Sequence, residues 1–175
     1  MGPAGRDEEF SSFVREHRAA LVGAARLLTA GDEGWAEDVV QTTLTRLYLR
    51  WRHVRRADNR FAYARTALTH AFIDETRRAH RRRELSAQEP RDPGASAPTG
   101  ADHETRAVVA DALAGLAPRQ RAVVVLRHWL DLDVAETARV LGCSPGTVKS
   151  QNARALAHLR EVLDVALHPA TEETR

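Results

Sequence analysis

Apolar residues recur every three or four positions along most of the chain, which is the spacing of one buried face of an α-helix. The pattern predicts helices over residues 7–29, 35–54, 60–84, 104–115 and 118–130, and a further pair between residues 133 and 163. No stretch alternates strictly between apolar and polar residues, as a half-buried strand would. We therefore predict an all-α fold.

The last two predicted helices are joined by a tight turn. An apolar stripe at helical spacing ends at Leu141, and Gly142 follows where a helix C-terminus favours a left-handed backbone. Ser144 is a favourable N-cap, and Pro145 suits the first helical position because it gives up no hydrogen bond there. The second helix is therefore predicted to begin at Pro145, which makes the pair a helix-turn-helix.

The second helix of this pair has two different sides. Its apolar stripe predicts a buried side formed by Val148, Ala155, Leu156, Leu159 and Leu163. The opposite side is short, polar and basic, and it consists of Thr147, Lys149, Ser150, Ala153 and Arg154. A helix in the DNA major groove needs these properties, because its side chains approach base edges and pair with phosphates. The alternative is an ordinary helical hairpin with a solvated face.

Charge is distributed unevenly along the first half of the chain. The formal net charge is only +2, but residues 1–50 hold 6 arginines against 8 acids, whereas residues 51–83 hold 10 arginines against 3 acids. Solvated helices normally mix both signs. Phosphate contact therefore explains better the basic run after Glu75, which consists of Arg77, Arg78, Arg81, Arg82 and Arg83.

Three aromatic residues, Trp51, Phe61 and Tyr63, stand beside the arginines of residues 52–60. Aromatic side chains next to a basic groove stack well on the bases of single-stranded nucleic acid. The alternative, which is favoured for each residue taken singly, is that it belongs to the core, and the sequence leaves both interpretations open. A separate acidic edge, Glu37, Asp38 and Gln41, is a candidate contact for a basic protein partner or simply a solvated face.

Residues 86–103 contain three prolines, two glycines and almost no apolar side chain, which is the composition of a flexible or extended linker. They divide the chain into two small helical domains, residues 1–85 and 104–168. Residues 169–175 form a polar tail.

The residues that could support catalysis or metal binding are few and scattered. Eight histidines lie far apart, without the close pairing of a zinc site, and neither a phosphate-binding glycine loop nor a nucleophile elbow is present. The one cysteine, Cys143, is expected to pack in the helix-turn-helix turn. We expect no enzyme, metal or cofactor, no membrane insertion and a cytoplasmic location.

Three blocks of sequence resemble the extracytoplasmic-function (ECF) sigma factors of bacterial RNA polymerase, and most closely the actinobacterial SigE-like group. WAEDVVQTTLTRLYLRW, residues 35–51, and DNRFAYARTALTHAFIDETRR, residues 58–78, are similar to the family's region 2. LAPRQRAVVVLRHWLDLDVAETARVLGCSPGTVKSQNARALAHLR, residues 116–160, is similar to its region 4. The resemblance implies a region 2-like bundle and a region 4-like helix-turn-helix joined by a flexible linker.

The resemblance also implies roles for individual residues. Those matching the contact with the clamp helices of the polymerase β′ subunit are Glu37, Asp38, Gln41 and Thr42, although Thr42 replaces a glutamate common in the family. Those matching capture and melting of the −10 promoter element are Asp58, Asn59, Arg60, Tyr63, Arg65, Arg77 and Arg78. Those matching recognition of the −35 element are Thr147, Lys149, Ser150 and Arg154.

Two residues depart from the family's pattern. Asn152 occupies a position that is usually apolar, so we expect it to cost packing or to find a local hydrogen bond. His70 stands where asparagine is common, and no role is assigned to it.

The function implied is that of a sigma factor that binds core RNA polymerase through the β′ clamp helices and the β flap and directs it to promoter DNA. An anti-sigma factor is a possible further partner. The main alternative is a stand-alone helix-turn-helix regulator that binds an operator without polymerase, and a second is an enzyme with a nucleic-acid-binding tail.

Overall fold

In the computed structural model, the chain is described over residues 3–85 and 101–167, with side chains described for residues 5–79, 81 and 105–165. The helices of the first half are α1 (Pro3–Leu28), α2 (Glu33–Leu49), α3 (Trp51–Val54) and α4 (Arg60–Leu85). Those of the second half are α5 (Ala101–Ala114), α6 (Pro118–Val124), α7 (Val134–Leu141) and α8 (Pro145–Leu167), with a π-helical turn, Val125–Trp129, directly after α6. No strand occurs in either described range, which confirms the all-α prediction.

Two of the predicted helices are interrupted. The single helix predicted for residues 35–54 is broken at Arg50, where the backbone leaves helical geometry with φ −105° and ψ 16°. The short α3 that follows has Trp51 and Val54 fully buried. The helix predicted for residues 118–130 changes to π-helical geometry at Val125, a feature that apolar periodicity does not reveal.

Trp51 is the centre of the core of the first half. It is fully buried, with the rings of Phe10 and Phe13 at centroid distances of 5.1 and 5.3 Å. Helices α1, α2 and α4 pack around it through the apolar faces that the sequence predicted. Of the two interpretations open for Trp51, the core interpretation is therefore correct, because a fully buried indole cannot stack on a base.

The second half is built on α8, which packs against α5, α6 and α7. Gly142 adopts φ 60° and ψ 44°, so the predicted left-handed turn is confirmed. The turn then leads into α8, whose first residue is Pro145 as predicted. Val148 and Ala155 of α8 are fully buried and lie on the side of the helix that packs against its neighbours.

The two halves are packed against each other. One buried apolar cluster runs from Phe13 on α1 to Val148 on α8. Helix α1 contacts α5, α6 and the π-helical turn, and α4 contacts α6 and α7. The sequence did not predict this packing. Most of the predicted linker and all of the predicted tail lie outside the described residues, and the last three linker residues form the start of α5.

Candidate nucleic-acid interface

The first turn of α8 is held by its own side chains. The Thr147 backbone N–H donates to Ser144 Oγ at 3.0 Å, and the two hydroxyls of these residues lie 2.9 Å apart. Ser150 Oγ donates to the Thr147 carbonyl at 3.0 Å. The predicted N-cap is therefore confirmed. The four predicted −35 residues are all exposed: Thr147, Lys149, Ser150 and Arg154.

Helix α7, which supports this surface, is capped by a pair that the sequence analysis missed. The Glu136 N–H donates to Asp133 Oδ1 at 2.7 Å, and the Asp133 N–H donates to Glu136 Oε2 at 3.0 Å. This reciprocal capping box satisfies two amides at the start of α7. An acid followed three residues later by a glutamate was the available signal. Both helices of the helix-turn-helix are therefore capped by side chains at their N-termini.

A basic groove of about 360 Å³ runs beside the recognition surface of α8. Its polar lining includes Arg127, Lys149, Asn152 and Arg160. His128 Nε2–H donates to Asn152 Oδ1 at 3.0 Å, so Asn152 has found the local hydrogen bond that was one of its two expected outcomes. The groove therefore places positive charge along the flank of the helix that carries the four predicted −35 residues.

The start of α4 forms a second exposed corner. Asn59 Oδ1 accepts from the Ala62 N–H at 2.8 Å, so Asn59 is the N-cap of α4. Arg60 Nη2 lies 3.6 Å from Glu9 Oε1, a loose ion pair at the surface. Asp58, Asn59 and Arg60 are all exposed, and the Tyr63 ring is 37% exposed one turn along the helix. The structure thus groups these four predicted −10 residues.

Arg65 and Phe61 are arranged differently from Tyr63. Arg65 Nη1 donates to the Leu130 carbonyl of the second half at 2.6 Å, and its guanidinium lies 5.3 Å from the Phe61 ring centroid. Phe61 is half-buried and stacks on His17 at a centroid distance of 4.8 Å. Of the three aromatics considered for base stacking, only Tyr63 has an exposed ring.

The far end of α4 is strongly basic. Arg77, Arg78 and Arg81 are exposed, and no carboxylate within the described side chains lies at ion-pair distance from them. The side chains of Arg82 and Arg83 lie outside the described residues. Unpaired guanidinium groups on one helix end are suited to binding consecutive phosphates.

The predicted polymerase-binding residues on α2 divide into two pairs. Asp38 and Gln41 are exposed. Glu37 accepts from Arg18 Nη2 at 2.6 Å and from Gln41 Nε2 at 3.1 Å, and therefore holds Gln41 in place. Thr42 Oγ1 donates to Glu75 Oε1 at 3.2 Å. The Thr42 hydroxyl therefore bonds within the protein, between α2 and α4.

Glu75 is a structural residue that the sequence analysis did not single out. Besides the Thr42 hydroxyl, it accepts a hydrogen bond on Oε2 from Trp35 Nε1 at 3.0 Å. It therefore ties α2 to α4 and sets the orientation of the acidic edge. The signal was its place, next to Asp74, as the last acid before the basic run.

Other kinds of site find no support in the described part of the chain. No group of three histidine, cysteine, aspartate or glutamate side chains among residues 5–79, 81 and 105–165 could hold a metal ion. Cys143 is unpaired and packs against the apolar cluster. In the same ranges, every helix is too short or too polar to cross a membrane.

Comparison with protein families and relatives gives a consistent result. Residues 13–82 match the family described as Sigma-70 region 2, and residues 106–159 match Sigma-70 region 4. The chain is 42% identical to the RNA polymerase sigma-E factor of Streptomyces coelicolor over 156 residues, which cover 89% of this chain and 86% of the relative. It is 36% identical to the ECF RNA polymerase sigma factor SigL of Mycobacterium tuberculosis over 168 residues, 93% of either chain.

Two solved structures are similar to this chain over most of its length. The sigma factor RpoE of Bartonella quintana, in complex with the anti-sigma factor NepR, has a TM-score of 0.69 and 25% identity, covering 90% of this chain and 98% of that one. CnrH, in complex with the cytosolic domain of CnrY, has a TM-score of 0.60 and 25% identity, covering 92% and 91%.

Proposed function

We propose that the two halves of this chain divide promoter recognition between them. The chain belongs to the extracytoplasmic-function family of RNA polymerase sigma factors. The chain is an initiation factor that directs RNA polymerase to promoters, and it is not an enzyme. The observation that supports the proposed division best is the exposed polar and basic face of α8 on a doubly capped helix-turn-helix.

The second half reads the −35 element. Thr147 and Ser150 are short enough to let α8 approach base edges, and Arg154 can bond guanine bidentately. Lys149 and the basic groove beside it bind the flanking phosphates. The α8 N-terminus faces the DNA because the N-terminal residues of a recognition helix make the base contacts.

The first half captures and melts the −10 element. Asp58, Asn59 and Arg60 form a polar corner that holds a base turned out of the duplex, and Tyr63 offers a ring on which a base can stack. Arg77 and Arg78 bind the strand backbone. Unstacking a base costs a few kcal/mol, and the stacking and phosphate contacts offset it.

Asp38 and Gln41 dock on the β′ clamp helices, and the second half contacts the β flap. Two weak domains on one polymerase gain affinity for DNA by effective concentration. An anti-sigma factor is included among the partners because the sigma factor RpoE, which has the same fold, was solved bound to one. The location is cytoplasmic, since promoter DNA and RNA polymerase are there.

Run-off transcription tests this function. Core RNA polymerase from a Streptomyces species, the genus of the 42% identical relative, is supplied with the purified chain and a library of promoter fragments. The expected result is specific transcripts that require both core and chain, with little binding of duplex DNA by the chain alone. Tight binding of duplex DNA without any effect on added core would instead establish the stand-alone regulator.

A further inference from the structure

We propose that Glu75 is a positioning residue for polymerase binding, and that it requires threonine rather than glutamate at position 42. Its carboxylate holds the part of α2 that carries Asp38, through hydrogen bonds from Trp35 and Thr42. This inference rests on the proposed function, in which Asp38 and Gln41 dock on polymerase. It adds to that site a residue of another helix, α4, which does not itself touch the partner.

Two hydrogen bonds from α2 end on the two oxygens of the Glu75 carboxylate. Oε2 accepts from Trp35 Nε1–H at 3.0 Å, and Oε1 accepts from the Thr42 hydroxyl at 3.2 Å. The two donors are seven residues apart, which is about two turns along one side of a helix. Asp38 lies between them in the chain. The backbone on either side of Asp38 is therefore tied to a single group on α4.

The Trp35 side chain is itself held in place. Its ring centroid lies 5.4 Å from that of Phe72, which is fully buried and precedes Glu75 by three residues on α4. A half-buried indole N–H needs an acceptor, and Glu75 supplies it. Because the ring is packed against Phe72, the hydrogen bond fixes α2 relative to α4 instead of following a mobile side chain.

The neighbouring acid, Asp74, connects the same two helices in a different way. Asp74 Oδ2 lies 3.1 Å from Arg46 Nη1, in an ion pair whose side chains are 43% and 35% exposed. Exposed ion pairs contribute little to stability, and Arg46 is two turns beyond Asp38. Within the described side chains, Glu75 has no cation at ion-pair distance, so its charge is met only by two neutral donors.

This environment restricts the residue at position 42. A threonine hydroxyl donates to Glu75, whereas a glutamate would bring a second carboxylate against the first with no cation between them. Thr42 replaces a glutamate common in the family, and Glu75 gives the physical reason in this chain. Glu75→Gln should remove the restriction, because an amide can accept from Trp35 Nε1 and donate to an oxygen at position 42.

A double-mutant cycle on the affinity for core RNA polymerase tests the restriction. Thr42→Glu alone should bind core about fivefold more weakly, and Glu75→Gln alone should stay within about twofold of the original chain. The double variant should return to within about twofold of the original chain or bind more tightly. Thr45→Glu is the matched control, because it adds the same charge at an exposed threonine of α2 that is not bonded to Glu75. It should bind like the original chain.

Alanine variants of the two acids test the positioning role. Glu75→Ala leaves both α2 donors without their acceptor and should weaken core binding about three- to fivefold, whereas Asp74→Ala should stay within about twofold. The indole N–H signal of Trp35 in the proton NMR spectrum, assigned with Trp35→Phe, reports the hydrogen bond in the free chain. It should shift and exchange faster with solvent in Glu75→Ala, but not in Glu75→Gln or Asp74→Ala.

Thermal unfolding of every variant separates positioning from folding. A merely structural Glu75 would lower Tm when replaced by alanine and leave core affinity unchanged well below Tm. If Thr42→Glu fails to fold, recovery of folding and core binding on adding Glu75→Gln supports the restriction, and no recovery overturns it.

Equal affinities of Thr42→Glu with and without Glu75→Gln would also overturn the inference. So would full affinity in Glu75→Ala while Asp38→Ala loses affinity. Failure of the proposed function has a different signature, because Asp38→Ala would then keep full affinity too, or the original chain would not bind core. Either result would remove the basis of the positioning role, although the Trp35 signal would still report the hydrogen bond.

Discussion

The two proposed DNA-facing helices, α8 and α4, are prepared for DNA in different ways. On α8 the four proposed contact residues are all exposed, and the hydrogen bonds of its first turn come from residues 144–150. On α4 the proposed contacts are spread over the helix, and Arg65 is bound to a carbonyl 65 residues away. The proposed contact residues of α8 are therefore all exposed in the free chain, whereas Arg65 on α4 is bonded to the other half.

This difference suggests an order of events. The −35 face needs no rearrangement, so it can engage DNA as soon as polymerase presents the chain to a promoter. On α4, the proposed −10 residue Arg65 is hydrogen-bonded to the Leu130 carbonyl of the second half, so it can reach DNA only after that bond breaks.

The basic end of α4 should show the largest effect. Replacing both Arg77 and Arg78 by alanine removes two charge-assisted phosphate contacts, a loss of about 3 kcal/mol or about a hundredfold in open-complex formation. The logarithmic salt dependence should also become flatter by about 1.5. Permanganate footprinting across a salt series measures both quantities. The Arg77→Lys, Arg78→Lys variant should keep the salt dependence, and equal losses in both variants would argue against phosphate contact.

The recognition face of α8 should show a smaller but sequence-dependent effect. Arg154→Ala should cost about 2 kcal/mol, roughly 30-fold in transcription from promoters with the preferred −35 element, because one bidentate base contact is lost. Mutating that base should reduce transcription by the original chain but not by the variant. Arg119→Ala, at an exposed arginine of α6, is the matched control. A uniform loss on all promoters would assign Arg154 to the phosphate backbone.

Two glycines of the helix-turn-helix, Gly142 and Gly146, should change the stability of the fold in opposite directions when replaced by alanine. Gly142→Ala places a Cβ in open space but at φ +60°, so we expect it to destabilise the fold by about 1 kcal/mol, a fall in Tm of about 2–4 °C. Gly146→Ala lies in the first turn of α8, with its Cβ 3.7 Å from Ser144 Oγ, and it should stabilise slightly. Thermal unfolding followed by circular dichroism distinguishes them, and a neutral Gly142→Ala would mean that the turn is not strained.

The acidic edge of α2 should show the smallest effect and should separate polymerase binding from both DNA faces. Asp38→Ala should weaken core binding by at most about 1 kcal/mol, or about fivefold, since exposed charge pairs contribute little and are screened by salt. Asp111→Ala, at an exposed acid of α5, is the control. Binding of labelled chain to core polymerase at two salt concentrations measures this loss of affinity and its salt dependence. Unchanged core affinity together with a promoter-specific defect would reassign Asp38 to DNA.

Features encoded by neighbouring residues were predictable from the sequence. Gly142, Ser144 and Pro145 predicted the turn because each satisfies a backbone requirement within three or four residues of itself. The apolar faces of α1, α2 and α4 were predicted for the same reason, since helical periodicity is local. Trp51 and Tyr63 could not be told apart, because burial of a particular aromatic depends on which helices pack over it.

The amino-acid sequence by itself determined the all-α class, the helix-turn-helix and the exposed residues of α8. Only the tertiary structure decided that the halves pack together and that Arg65, His70 and Arg121 cross between them, to carbonyls 65, 70 and 93 residues away. The physical reason lies in the acceptors. Every residue has a backbone carbonyl, so a long-range hydrogen bond to one leaves no residue-type pattern in the sequence and becomes visible only when the chain is folded.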